Sequence, residues 1–244
     1  TAVEYWRSLK PHNMGALYWQ LNDTWPVASW SSLDHGGGWK VLHHMVKRFF
    51  KPSAVFAVPT PDGEAVRIVA VNDRPDLVNM DIVMKSVALD GKETVLSRIS
   101  VTTPPDRAVD AAWLNARDIG NDRLLVFDYV VSDGTSGRGH LTLQPYKRLA
   151  LTDPGIEVTT AVLDGIATVT LKAARPALFV LLEADVGGRF DDGGFDLMAG
   201  ETRTIRFLAN DQVDPGEVLA SLIVRDLHSA TYPPKQEAGQ PAAT

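Results

Sequence analysis

Five of the six tryptophans, Trp6, Trp19, Trp25, Trp30 and Trp39, fall in the first 52 residues, and only Trp113 follows. An indole is a rigid, flat apolar surface with one polar handle. Such rings either fill a core or form plates on which the C–H face of a pyranose ring stacks. By residue type alone, core packing is the plainer reading for Trp19. Asp23 comes four residues later. Its carboxylate is placed to accept from a sugar hydroxyl or an arginine, or to cap the amides of its own turn. Trp25 is a further candidate for ligand contact. Both it and Trp30 also suit packing a loop against a rim, and Asn22 reads first as a turn residue.

Other groups carry weaker chemistry. Gly36, Gly37 and Gly38 precede a helical pattern, but no GxGxxG or following Lys-Ser/Thr supports a phosphate cradle. His43 and His44 are adjacent, so on a helix they point apart and lack the i, i+4 spacing of a metal pair. His12, His35, His140 and His228 have no ligand spacing either. Asp191, Asp192 and Asp196 lack the spacing and terminal Glu of a calcium loop. A solvated turn is the plainer reading there. Cysteine is absent, which excludes disulfides and thiolate chemistry. No metal and no cofactor are expected.

The elements that would position these residues divide the chain. Gly15–Leu21 is short, apolar and aromatic, and ends at Asn22-Asp23 and Trp25-Pro26, so it reads as a buried strand. Trp39, Leu42, Met45, Val46 and Phe49 recur at helical spacing. Lys47, Arg48 and Lys51 suit the C-terminal end of the helix dipole, and Pro52 ends the helix. A strand, a long loop and a helix over residues 1–52 make one β/α unit, which cannot bury both faces alone. Residues 53–149 carry short strands at Ala65–Val71, Leu77–Leu89, Thr94–Val101 and Leu124–Ser132, with turns at Asp90-Gly91 and Asp133-Gly134. They read as an immunoglobulin-like β-sandwich. Residues 150–231 predict a second one, with strands at Ile156–Leu163, Ile166–Leu171, Ala177–Ala184, Thr202–Leu208 and Glu217–Val224. Asp164-Gly165 is a tight hairpin turn. Residues 232–244 read as a poorly ordered tail.

The net charge of −6 argues against a nucleic-acid partner. No apolar run reaches the roughly 18–20 residues of a membrane span. The first residues carry neither an initiator Met nor a signal-peptide pattern, so the chain is expected to begin inside a longer protein. The absence of cysteine leaves the compartment open.

The segment YWQLNDTWPVASWSSLDHGGGWKVLHH, Tyr18 to His44, resembles the end of the catalytic barrel in glycoside hydrolase family 2, and within that family the β-mannosidases. Exo-β-glucosaminidases of the same family carry a related tryptophan-rich strand. Residues Phe190 to Glu201 are similar to a loop in the last immunoglobulin-like domain of these enzymes. The resemblance implies a mainly β chain: two immunoglobulin-like sandwiches preceded by the final unit of a (β/α)8 barrel. It implies hydrolysis of terminal β-mannosides with retention by two glutamates, and an aromatic floor for the sugar that falls on Trp19. No glutamate here maps onto the catalytic pair. Glu4, the only one in the first 52 residues, sits in no matching motif. The chain alone is therefore expected to be inactive, with the remainder of the barrel as its partner and a β-mannoside as the substrate of the complete enzyme. Self-association through the exposed barrel segment is a further expectation. A free carbohydrate-binding or interaction module is the competing reading, and it requires exposed aromatics beyond residue 52, where Trp113 is the only Trp.

Overall fold

In the computed structural model, residues 2–232 are described, and they form two compact units that divide between Ala150 and Leu151. The expected tail, residues 232–244, lies outside the described residues save for Tyr232.

In the first unit, α1 (Ala2–Arg7) and α2 (Val41–Phe49) precede seven strands. These are β1 (Ser53–Pro59), β2 (Ala65–Asn72), β3 (Val78–Ala88), β4 (Glu93–Thr103), β5 (Arg107–Asn115), β6 (Arg123–Val131) and β7 (Ser136–Thr142), with the short α3 (Ala116–Ile119) between β5 and β6. They form two antiparallel sheets, β1-β2-β5 and β4-β3-β6-β7. Between them lies a core that includes Val66, Ile68, Met80, Ile82, Met84, Leu125 and Phe127. In β3 burial alternates from Val78 to Met84, with Val78, Met80, Ile82 and Met84 buried and Asn79 and Asp81 exposed, as one buried face requires. By contrast β1 and β2 are nearly continuous apolar runs, because their sheet is covered on both faces. Its outer face, carrying Ala54, Phe56, Val69 and Val71, packs against Val3 of α1 and Leu42, Met45, Val46 and Phe49 of α2.

Arg7 locks this layer. Its guanidinium, almost fully buried, donates to the carbonyls of Phe49 and Lys51 at the end of α2 and to Asp73 Oδ2 at 2.9 Å. It also lies 5.3 Å from the Phe56 ring centroid. Burial lowers its pKa, opposed by Asp73. The carbonyls left open at the helix end are thereby satisfied by a side chain from another element.

In the second unit, β8 (Ile156–Leu163), β9 (Ile166–Ala173), β10 (Ala177–Glu183), β11 (Gly188–Phe190), β12 (Phe195–Leu197), β13 (Thr202–Ala209) and β14 (Ile223–Arg225) form the sheets β11-β13-β9-β8 and β12-β10-β14. The core holds Val169, Leu171, Val180, Leu197, Ile205 and Phe207. The β8–β9 turn has Asp164 at φ 51° and Gly165 at φ 76°. Positive φ at both central residues is the geometry that joins two right-twisted strands tightly. Mainly β architecture with two sandwiches is what the sequence predicts.

Two expected elements are corrected. Residues Glu217–Val224 are not one strand: α4 (Pro215–Ala220) precedes the short β14. Asp214 caps the helix by accepting from Gly216 N, and Pro215 occupies its first turn, so capping overrides the apolar alternation. Gly15–Leu21 is not a buried strand either. It is irregular, with bends at Trp19 and Leu21, and unpaired over most of its length, with Leu17 almost fully exposed. A strand needs neighbours for its N–H and C=O groups, and no described strand lies beside it. Over residues 1–52 the structure supplies two helices, α1 and α2, with a long loop between them, and among the described residues no barrel.

Candidate functional site

The tryptophan-rich loop between α1 and α2 is folded by its own backbone. Asp23 N donates to Leu33 O, Ser32 N to Gln20 O, Leu33 N to Leu21 O, and Lys40 N to Ser32 O. Single bridges join Asn22 to Leu33 and Leu33 to Trp39. The glycines that follow wrap around Asp34, whose Oδ1 accepts from Gly38 N at 2.7 Å. A Cβ on Gly38 would collide with that carboxylate, so the glycine there serves a tight turn.

Within the loop the usual partition of side chains is inverted. Trp19, Trp25 and Trp30 are 77%, 63% and 68% exposed, while Asp23, Ser31 and Ser32 are 4%, 2% and 0% exposed. Burying polar groups is costly unless each is bonded, and these are. The Asp23 carboxylate meets Lys40 Nζ at 2.8 Å and accepts from Ser29 Oγ. Lys40 Nζ also reaches Ser31 Oγ at 2.8 Å. Bonds from Lys40 first, then Ser29 and Ser31, hold the Asp23 pKa at about 2. Ser32 Oγ lies 3.0 Å from Tyr18 Oη, 2.9 Å from Leu21 O and 2.9 Å from His43 Nδ1. Trp39 faces inward against His43 and His44, with centroids 4.3 and 5.1 Å away. The Trp19–Gln20 peptide is cis.

Of the residues singled out by sequence, Trp19 and Trp25 are thus presented outward on one loop. Asp23 lies in the same loop but turns inward, bound to Lys40. Its partner was not legible, because Lys40 is 17 residues away and nothing in the motif's spacing pairs the two. Ser32 and His43 lie in the same motif and were also missed as partners, because a contact across 11 residues carries no spacing signal. The loop offers exposed indole surface at Trp19, Trp25 and Trp30. The loop's two carboxylates, on Asp23 and Asp34, are both bonded within it.

The second segment of interest, Phe190 to Glu201, uses its acids internally. Asp192 pairs with Arg203, and Asp191 Oδ2 lies 3.4 Å from Arg206 Nε. Asp196 Oδ1 accepts from Phe179 N, and Glu201 Oε2 from Met198 N. Arg203 sits 4.2 Å from the Phe195 ring centroid. Among the described residues no group of three or more metal-ligating side chains is found.

The second sandwich, residues 151–230, matches the Ig-fold domain of mannosidases. The chain is 32% identical to a β-mannosidase of Capra hircus over 89% of its own length and 26% of the relative. It is 26% identical to β-mannosidase A of Aspergillus terreus, over 94% of this chain and 27% of that one. Among solved structures, a β-D-mannosidase of Dictyoglomus thermophilum superposes with a TM-score of 0.76 at 23% identity, covering 92% of this chain and 28% of that one. The chain belongs to glycoside hydrolase family 2, with the β-mannosidases. It corresponds to their C-terminal part. An exo-chitosanase of Amycolatopsis orientalis shares the fold of this β-mannosidase-family chain, with a TM-score of 0.63 at 16% identity over 92% of this chain and 31% of that one. The chain spans about a quarter of the length of the curated β-mannosidases it matches.

Proposed function

We propose that this chain is the C-terminal portion of a retaining enzyme that removes terminal β-mannosides, and that Trp19 forms one apolar wall of its sugar subsite. The supporting observation is the inverted loop: Trp19 is exposed at 77% on a segment whose polar side chains are buried and bonded. An indole in that setting offers its face to the C–H side of a pyranose. Trp25 flanks it as a second contact. Retention needs two carboxylates about 5–5.5 Å apart. The loop's own Asp23 and Asp34 are spent on Lys40 and Gly38. The catalytic pair therefore belongs to the remainder of the barrel, and this chain alone does not turn over glycosides. The two sandwiches brace the barrel. In isolation the exposed face of Leu17, Trp19, Trp25 and Trp30 drives self-association.

The test is hydrolysis of an aryl β-mannoside by the complete enzyme. Trp19→Ala lowers kcat/KM roughly tenfold to a hundredfold, the scale set by burying an aromatic side chain. An unchanged kcat/KM overturns the role of Trp19. Turnover by the 244-residue chain alone overturns the placement of the catalytic pair. Preferred cleavage of an aryl β-glucosaminide moves the substrate to the other branch of the family.

A further inference from the structure

Trp19 projects outward, yet the chain on both sides of it is tied to one enclosed side chain. Ser32 is wholly buried. A serine hydroxyl has one proton to give and two lone pairs to receive. Here the proton goes to Leu21 O at 2.9 Å. Tyr18 Oη at 3.0 Å and His43 Nδ1 at 2.9 Å then both donate to it, which uses its full capacity. The Ser32 amide adds a bond to Gln20 O at 3.1 Å. Tyr18, Gln20 and Leu21, the residues flanking Trp19, thus all converge on Ser32.

The anchor continues to the sandwich. Ser32 O accepts from Lys40 N at 3.0 Å, and Lys40 reaches back to Asp23. His43 lies on α2, which packs on the outer face of the first sheet. A plate ordered in advance avoids the conformational entropy lost when a side chain is immobilised on binding.

We infer that Ser32, seconded by the Asp23–Lys40 pair, is a positioning residue that pre-forms the Trp19 plate. The placement is a matter of geometry; its value to catalysis rests on the sugar-wall reading of Trp19.

The experiment labels the full chain with 5-fluorotryptophan, giving six fluorine resonances, and assigns Trp19 by its loss in Trp19→Phe. Ser32→Ala is expected to move the Trp19 resonance toward that of free indole, while the Trp113 resonance stays in place as the control for folding. Tyr18→Phe removes one oxygen without changing volume, and is expected to produce the same shift at smaller amplitude. A Trp19 signal unmoved in both variants overturns the inference. In the complete enzyme, Ser32→Ala should lower kcat/KM on an aryl β-mannoside by about tenfold, the cost of a misplaced contact. A moved resonance with kcat/KM unchanged in both Ser32→Ala and Trp19→Ala upholds the positioning and overturns the sugar-wall reading.

Discussion

The Asp23 carboxylate lies 2.8 Å from the Lys40 ammonium, closing a 17-residue span into a clasp that carries Trp25 and Trp30 on its outer side. Asp23 is the more deeply enclosed partner, with its side chain 1% exposed against 30% for Lys40. The clasp has a definite pH signature. Hydrogen bonds from Lys40, Ser29 and Ser31 lower the carboxyl pKa from 3.8 to about 2 in the folded chain. A depressed acid contributes stability that is complete above its unfolded pKa and is lost as pH falls through the folded one. The loop is therefore expected to loosen between about pH 4 and pH 2. Carboxyl-carbon NMR of Asp23 checks this, and Lys40→Met should return its titration toward 3.8.

Tyr129 behaves oppositely at the alkaline end. Burial raises its pKa from 10.0 to about 12, against the lowering influence of Arg7. The phenol is stabilised in its neutral form, so this contribution is present below pH 10 and is lost as pH rises through about 12. Tyr129 should ionise late in an absorbance titration at alkaline pH, and Tyr129→Phe should remove that late step.

Cross-strand pairs in the β6–β7 ladder place Gly137 opposite Tyr129 and Gly139 opposite Phe127. Each ring lies over the glycine, where a Cβ would enter the ring itself. Gly139→Ala is expected to cost about 1–3 kcal/mol by overpacking, read as a lowered melting temperature. Gly15→Ala, where a new Cβ meets nothing, serves as the neutral comparison.

Arg7→Met should leave two carbonyls and Asp73 without their buried donor. Loss of a buried, hydrogen-bonded charge of this kind costs about 2–4 kcal/mol. The effect should concentrate in α1 and α2: hydrogen exchange there is expected to accelerate far more than in β6. Equal acceleration throughout the first unit would mean that Arg7 supports the whole sandwich.

Periodicity located most strands wherever one face is buried and the other wet. β3 shows this, with Val78, Met80 and Ile82 separated by the polar Asn79 and Asp81. β1 was missed because SAVFAVP is buried on both sides and has no alternation to read. Glu217–Val224 was misread because its apolar spacing suits a strand, while the decisive signal, Asp214-Pro215, lies just upstream.

The first 52 residues divide in the same way. Their order alone was enough to indicate a C-terminal helix boundary and the family. Which indoles face out, and which acid is spent, came only from the tertiary structure. Trp19 and Trp39 are the same residue type in one motif, yet one is 77% exposed and the other packs between His43 and His44. The difference depends on Ser32, Lys40 and His43 meeting across the loop, and contacts between residues far apart in sequence leave no periodic trace in it.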